Sequence, residues 1–285
     1  MTSYTPVATL VVAAITAFVS IRAFRDPRWK DWLIFHPPSI LAGREYHRIV
    51  TSGFLHADWI HLVMNLLTFV VFGNTLEPML GGTRLLAIYF AGIVGGSLLS
   101  LYLHRHHDYH ALGASGGVCG VLFASIFLLP DGEIRSMMVP FGIPSWLYAI
   151  LFLVFEFQGA RRQESNIGHD AHLGGAAVGL LVATAMYPEI VRLSPWLYAA
   201  VLSLCVGMFF YFWKNPMHLP LDTFVTKSSR PTRKHAHAEP TSEEVDAILD
   251  KVSENGIQSL TAEEQAILRR ASGKPADARP VGDGG

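Results

Sequence analysis

The sequence predicts an all-α polytopic membrane protein that ends in a small soluble helical tail. Three observations predict this. Hydrophobic residues make up 51% of the 285 and charged residues only 16%, against about 25% charged in a typical soluble domain. The apolar residues are gathered into long runs, the mark of buried membrane helices. From residue 222 the chain turns polar, and helix-cap patterns then reappear. The formal net charge of −1 offers no basic surface, so no nucleic-acid partner is expected. Cys119 and Cys205 lie inside apolar runs and imply no disulfide framework.

Taken in order, the expected spans are 4–24, 59–72, 85–103, 115–129, 146–157, 171–187 and 196–213. Residues 1–6 carry no Lys or Arg, and the first apolar run, about 18 residues, exceeds a signal-peptide core of about 7–15. It reads as a retained membrane helix. Several later spans fall short of the roughly 20 residues that a lone span needs. Such helices are sheltered by their neighbours instead of facing lipid all round. The loop between the first two spans mixes Trp29, Trp32, Phe35 and Tyr46 with Arg28, Lys30, Arg44 and Arg48. Aromatic and basic residues together suit the lipid–water interface, so this loop is expected to lie half in the membrane.

The expected domains are a membrane-embedded unit at 1–220, a flexible linker at 221–240, a helical hairpin at 241–273 and a disordered end at 274–285. The linker is polar, with Lys227, Arg230, Arg233, Lys234, His235 and His237. Thr241 with Glu244, and Thr261 with Glu264, form two capping boxes. Val245, Ile248, Leu249 and Val252 recur at helical spacing, and Asn255-Gly256 ends the first helix. So short a hairpin buries little surface of its own. It serves either as a solubilising tail or as a docking module for an unknown partner.

Two stretches carry chemistry. Gly113-Ala114-Ser115-Gly116-Gly117-Val118-Cys119-Gly120 opens one apolar run, and Ala171-His172-Leu173-Gly174-Gly175-Ala176-Ala177-Val178-Gly179 opens another. Each holds a small-xxx-small pair, Gly116 with Gly120 and Gly175 with Gly179, the spacing that lets two helices touch in lipid. Ser115 and His172 stand at similar depth, a plausible nucleophile and base. Upstream, His61 and Asn65 are four residues apart and share one helix face. Both offer N–H donors. Taken alone, His61 and Asn65 read equally well as hydrogen-bonding glue between helices.

Together, G-x-S-G, A-H-x-G-G-x-x-x-G and H-x-x-x-N, in this order on separate spans, resemble the rhomboid family of intramembrane serine proteases over about residues 4–187. The resemblance implies a six-helix rhomboid-like bundle, here followed by a seventh C-terminal helix and the tail. It implies a Ser–His dyad of Ser115 and His172, with an oxyanion hole from His61, Asn65 and the backbone N–H of Ser115. The implied activity is cleavage of transmembrane segments of single-pass membrane proteins. The implied partners are those substrates and the lipid bilayer, with no metal or cofactor required. Arg48 matches a basic residue of the family's first-loop motif, where His47 replaces the usual Trp. Glu77 matches a carboxylate that braces the core. Cys119 stands where members often place an aromatic against the catalytic histidine, which leaves His172 less covered. The family places the N-terminus inside and the site opening outside. The basic first loop argues the opposite by the positive-inside rule, and the family orientation is preferred because the loop is interfacial. The expected location is the cell membrane of a prokaryote.

Some residues are set aside. Asp170 points elsewhere on its helix, so no buried Asp completes a triad and His172 is oriented by packing alone. His169 stands three residues from His172 and competes as a base, without the A-H-x-G-G setting. His104, His106, His107 and His110 fit no structural zinc spacing and read as a solvated loop. The rivals to a protease are a catalytically silent relative that binds membrane clients, and a transporter, since buried Ser, His and Asn also line substrate paths.

Overall fold

The structure is a computed structural model that describes residues 4–135, 142–162, 168–214, 242–255, 267–268 and 271. Among the described residues, seven long helices lie in the membrane part: α1 (Val7–Arg25), α5 (Trp59–Leu80), α6 (Gly82–His104), α7 (Ser115–Leu128), α8 (Ser145–Arg162), α9 (His169–Met186) and α11 (Pro195–Lys214). Four of them, α1, α5, α6 and α11, are long and apolar enough to cross a membrane by length and composition alone. The helix α7 is apolar but has only 14 residues. In α8 and α9, 18 residues each, the apolar run is broken by Glu156, Arg161 and Arg162 and by His169, Asp170 and His172.

The span expected to end at residue 72 continues as α5 to Leu80. Its last turn is held by Glu77, whose Oε2 accepts from Thr9 N–H and Thr9 Oγ–H at 2.7 Å and whose Oε1 accepts from Ala8 N–H at 2.9 Å. The carboxylate thus satisfies amides in the first turn of α1, where helical N–H groups have no partner of their own. Gly81, at φ 78°, then turns the chain straight into α6, a conformation that glycine adopts without strain.

The first loop is not merely irregular. It folds into α2 (Pro27–Leu33), α3 (Pro37–Leu41), α4 (Arg48–Thr51) and a 3-10 turn at Ser52–Phe54. Pro27 and Pro37 each open a helix, where a missing N–H does no harm. Arg48 is buried, and its Nη1 donates to the carbonyls of Asp31 at 2.7 Å and Ile34 at 2.8 Å. That one guanidinium stitches α2 to α4.

At the centre, α6, α7 and α9 meet through glycine. A Cβ on Gly92 would lie 2.7 Å from the Gly116 carbonyl oxygen, and one on Gly96 would lie 2.5 Å from that of Ala171. A Cβ on Gly175 or Gly179 would overlap the backbone of Gly116 or Gly120. Every residue from Gly116 to Phe127 is buried. A short antiparallel pair, β1 (Glu133–Ile134) with β2 (Ile143–Pro144), leads from α7 to α8. A four-residue helix, α10 (Ile190–Leu193), links α9 to α11.

The chain divides into two compact units, Met1–Phe224 and Val225–Gly285. In the second, α12 spans Ser242–Asn255, and Ile248 on its apolar face is buried; the expected Asn-Gly stop runs into residues outside the described ones. The expected linker, the caps at Thr241 and Thr261, most of the second hairpin helix and the end at 274–285 lie outside the described residues.

Candidate active site

Ser115 is the first residue of α7. The first ladder bond of that helix runs from Val118 N–H to the Ala114 carbonyl. The N–H groups of Ser115, Gly116 and Gly117 therefore lie ahead of the helical ladder, where an anion would find donors. Gly113, at φ 138°, delivers the chain to this point, and its N–H donates to the Ser52 carbonyl at 3.0 Å.

His61 stands at the same spot. A Cβ built on Gly113 would be 3.1 Å from His61 Cε1, 3.2 Å from its Nε2 and 3.5 Å from Ser115 Oγ. The imidazole edge and the hydroxyl therefore face one small space that only a glycine leaves open. Asp58 caps α5 by accepting His61 N–H at 2.8 Å, and His61 Nδ1 accepts Ala57 N–H at 3.4 Å. With Nδ1 accepting, the ring proton belongs on Nε2, toward Ser115. Asn65 lies one turn deeper and is buried. Its Nδ2 donates to the His61 carbonyl at 3.0 Å.

His56 supports the loop before the serine. Ser20 Oγ–H donates to the Phe54 carbonyl at 2.8 Å, so its oxygen accepts from His56 Nδ1–H at 2.9 Å. The bare Nε2 then faces Ala114 N–H at 3.4 Å. Burial, aided by neighbouring His61, pushes this imidazole down to about 3, so it stays neutral and keeps both partners.

His172 lies in the first turns of α9, three residues before Gly175, and its side chain is 15% exposed. The preceding carbonyl, that of Ala171, lies 3.4 Å from a Cβ built on Gly116. The glycine contacts between α7 and α9 thus bring together the helix turns that hold Ser115 and His172. The expectation that packing alone orients His172 is wrong. Its Nδ1 lies 3.0 Å from Glu156 Oε2, and His169 Nδ1 lies 2.7 Å from the same oxygen. Sequence reasoning missed Glu156 because a search for a third group looked for Asp near the histidine. The available signal was a lone carboxylate inside an apolar run. Phe152, one turn before Glu156, has its ring centroid 6.5 Å from that of His172. An aromatic from α8 therefore accompanies the imidazole, while Cys119 is simply buried in the core.

Of the loop histidines, His106 and His110 are exposed as expected, but His104 is not. His104 is buried, its Nε2 3.3 Å from Asp170 Oδ2, and Tyr109 stacks on it at 3.7 Å. Asp170 does point away from His172, into this pair. His110 stacks on His36 at 4.4 Å, and His36 Nε2 bonds Asp108 Oδ1 at 2.9 Å. Among the described residues, two clusters have donors spaced for a metal ion, His36 with Asp108 and His110, and Glu156 with His169 and His172. In both, hydrogen bonds or stacking within the chain already account for the placement.

The fold and site define a class: a multi-pass helical membrane protein in which the helices that carry Ser115 and His172 pack through paired glycines. Residues 43–189 match the Rhomboid domain, just over half of the chain, and the protein belongs to the rhomboid family. Residues 238–274 match a family of unknown function, DUF6576. RHOMBOID-like protein 12, mitochondrial, of Arabidopsis thaliana is 31% identical over 192 residues, covering 60% of this chain and 55% of the relative. Rhomboid protein 1, mitochondrial, of Saccharomyces cerevisiae is 31% identical over 137 residues, 47% of this chain and 40% of its own. Rhomboid protease GluP of Bacillus subtilis is 31% identical over 183 residues, 63% of this chain and 34% of its own. The chain thus spans about half, or less, of the length of these three relatives.

Proposed function

We propose that this protein is an intramembrane serine endopeptidase that cleaves transmembrane segments of single-pass membrane proteins. Ser115 is the nucleophile and His172 the general base. His61, Asn65 and the Ser115 N–H form the oxyanion hole. The observation that carries this reading is the backbone contact of α7 with α9 beside Ser115 and His172. His61 Nε2, which faces the same space beside Gly113 as Ser115 Oγ, supports it.

In the reaction, the Ser115 hydroxyl adds to the scissile carbonyl carbon and its proton passes to His172 Nε2. The carbonyl oxygen gains the charge, and the N–H donors at the start of α7 and on α5 receive it. The proton then goes to the leaving amine, and water hydrolyses the acyl-enzyme. The substrate helix unwinds locally to expose its carbonyl. The site opens on the extracytoplasmic side of a prokaryotic cell membrane; finding the native protein in an organelle membrane would overturn that setting.

Ser115→Ala and His172→Ala are each expected to abolish hydrolysis of a transmembrane model peptide while the protein stays folded. Retention of more than about a tenth of the rate, a loss under ~1.4 kcal/mol, would overturn the dyad. His61→Ala and Asn65→Ala are expected to slow the reaction by about 10²–10³ and leave a residue of activity. Wild-type rates in both would return them to helix packing. A catalytically silent relative would show neither pattern.

A further inference from the structure

Glu156 is 4% exposed in the middle of a helix that is otherwise apolar up to Phe157. A carboxylate there loses its hydration, a large penalty that only good partners offset. A leucine would fit the surrounding sequence without that penalty. Among the described residues, the partners of Glu156 are the Nδ1 atoms of His169 and His172, both on its Oε2. Carboxylate oxygens of an ionised Glu only accept, so each Nδ1 carries the proton. That fixes the neutral His172 ring with Nε2 unprotonated.

We propose that Glu156 is the positioning residue for the catalytic base. It accepts Nδ1–H of His172, holds the ring in the tautomer whose Nε2 takes the Ser115 proton, and balances the imidazolium formed in that transfer. The inference rests on the serine-protease reading. Glu156 itself takes no proton at any step: the Ser115 proton goes to Nε2 and from there to the leaving amine. The other histidine anchors the carboxylate. A Cβ on Gly159 would come within 2.5 Å of the His169 ring, so this glycine lets His169 reach Glu156 from beside the α8 backbone. Phe152, Glu156 and Tyr148 recur every four residues on α8, one stripe turned toward α9 and α7. The titratable groups facing this centre are His169 and His172 on α9, Tyr148 on α8, Cys119 on α7 and His61 on α5.

The blander alternative is a staple that only joins α8 to α9. The two differ in how the reaction responds to pH. An anion beside Nδ1 stabilises the imidazolium, so its removal lowers the pH at which His172 becomes a free base. The test is the rate of acylation of Ser115 by a fluorophosphonate, across pH, on the full chain in detergent. In Glu156→Gln the plateau is expected to fall at least tenfold and the acid limb to move down by about one pH unit or more. Glu156→Asp keeps the charge and is expected to recover part of the rate with the limb restored. A Glu156→Gln protein that reacts like wild type at every pH overturns the proposal. So does a uniform loss with an unmoved limb, which is what a staple gives. A second measurement needs no change at Glu156. In wild-type protein labelled with 15N-histidine, the neutral His172 signal, assigned by its loss in His172→Ala, is expected to report the Nδ1–H tautomer. The Nε2–H tautomer would overturn the proposal even if the Gln variant failed to fold. A wild-type protein whose Ser115 never reacts would instead bring down the protease reading, leaving the tautomer to decide Glu156 separately.

Discussion

At the scale of single residues, His56 sits in the loop before α5 with both ring nitrogens bonded, one to Ser20 and one toward Ala114. An unfolded His56 titrates near 6.5, whereas the folded ring stays neutral down to about 3. Between those values the unfolded chain binds the extra proton. The stability that His56 contributes is complete above pH 6.5 and is lost as pH falls toward 3, by about 1.4 kcal/mol per pH unit. Thermal melts should therefore fall more steeply below pH 6.5 in wild type than in His56→Gln; parallel curves would show that His56 does not titrate in this way. None of this was legible beforehand. The sequence places His56 near Trp59 and His61, but its partners Ser20 and Ala114 are distant in the chain. Ser115, His172, His61 and Asn65 were legible because each sits in a short local pattern of glycine or helical spacing. Glu156 was not, because its role depends on which helix packs against α8.

At the scale of elements, glycine decides how closely helices approach. Gly179 on α9 faces the backbone of Gly120, and a methyl group there would have to displace a helix, since backbone cannot swing aside. Gly179→Ala is expected to lower the melting temperature by several degrees and hydrolysis at least tenfold. Gly207, on α11, has nothing within 4 Å of its Cβ position. Gly207→Ala should be neutral or gain up to about 1 kcal/mol from helix propensity. Equal melts for the two variants would remove close packing as the reason for Gly179. The apolar runs located all seven long helices, because burial in a membrane leaves composition as the main signal. Their ends were less legible. The last turn of α5 depends on Glu77 meeting α1, and the short helices of the first loop depend on Arg48, contacts that no local pattern encodes.

At the scale of the whole molecule, the chain divides into two compact units, and the match to the Rhomboid domain ends at residue 189, well inside the first. The residues assigned to the reaction all lie from His61 to His172. Deleting residues 241–285 is therefore expected to leave hydrolysis of the model peptide in detergent within about twofold of the full chain, since every residue assigned to the chemistry precedes the tail. Complete loss in a truncation that still melts cooperatively would make the tail part of the catalytic unit. The polar linker and the two capping boxes marked the change of composition, but what the tail does is not written in its helix pattern.

Because every residue of α7 from Gly116 to Phe127 is enclosed by protein, the helix that carries the serine has no hydrophobic length to match to a bilayer. Outer helices such as α1 and α5, which turn Val7, Phe18, Ile60 and Val71 outward, meet changes in membrane thickness by tilting or by deforming the lipid around them. The serine keeps its depth relative to the other helices throughout. Depth in this protein is thus an internal coordinate: under the proposed protease reading, the position of a cut along a substrate is measured from the protein, while the lipid sets only how the protein as a whole is seated.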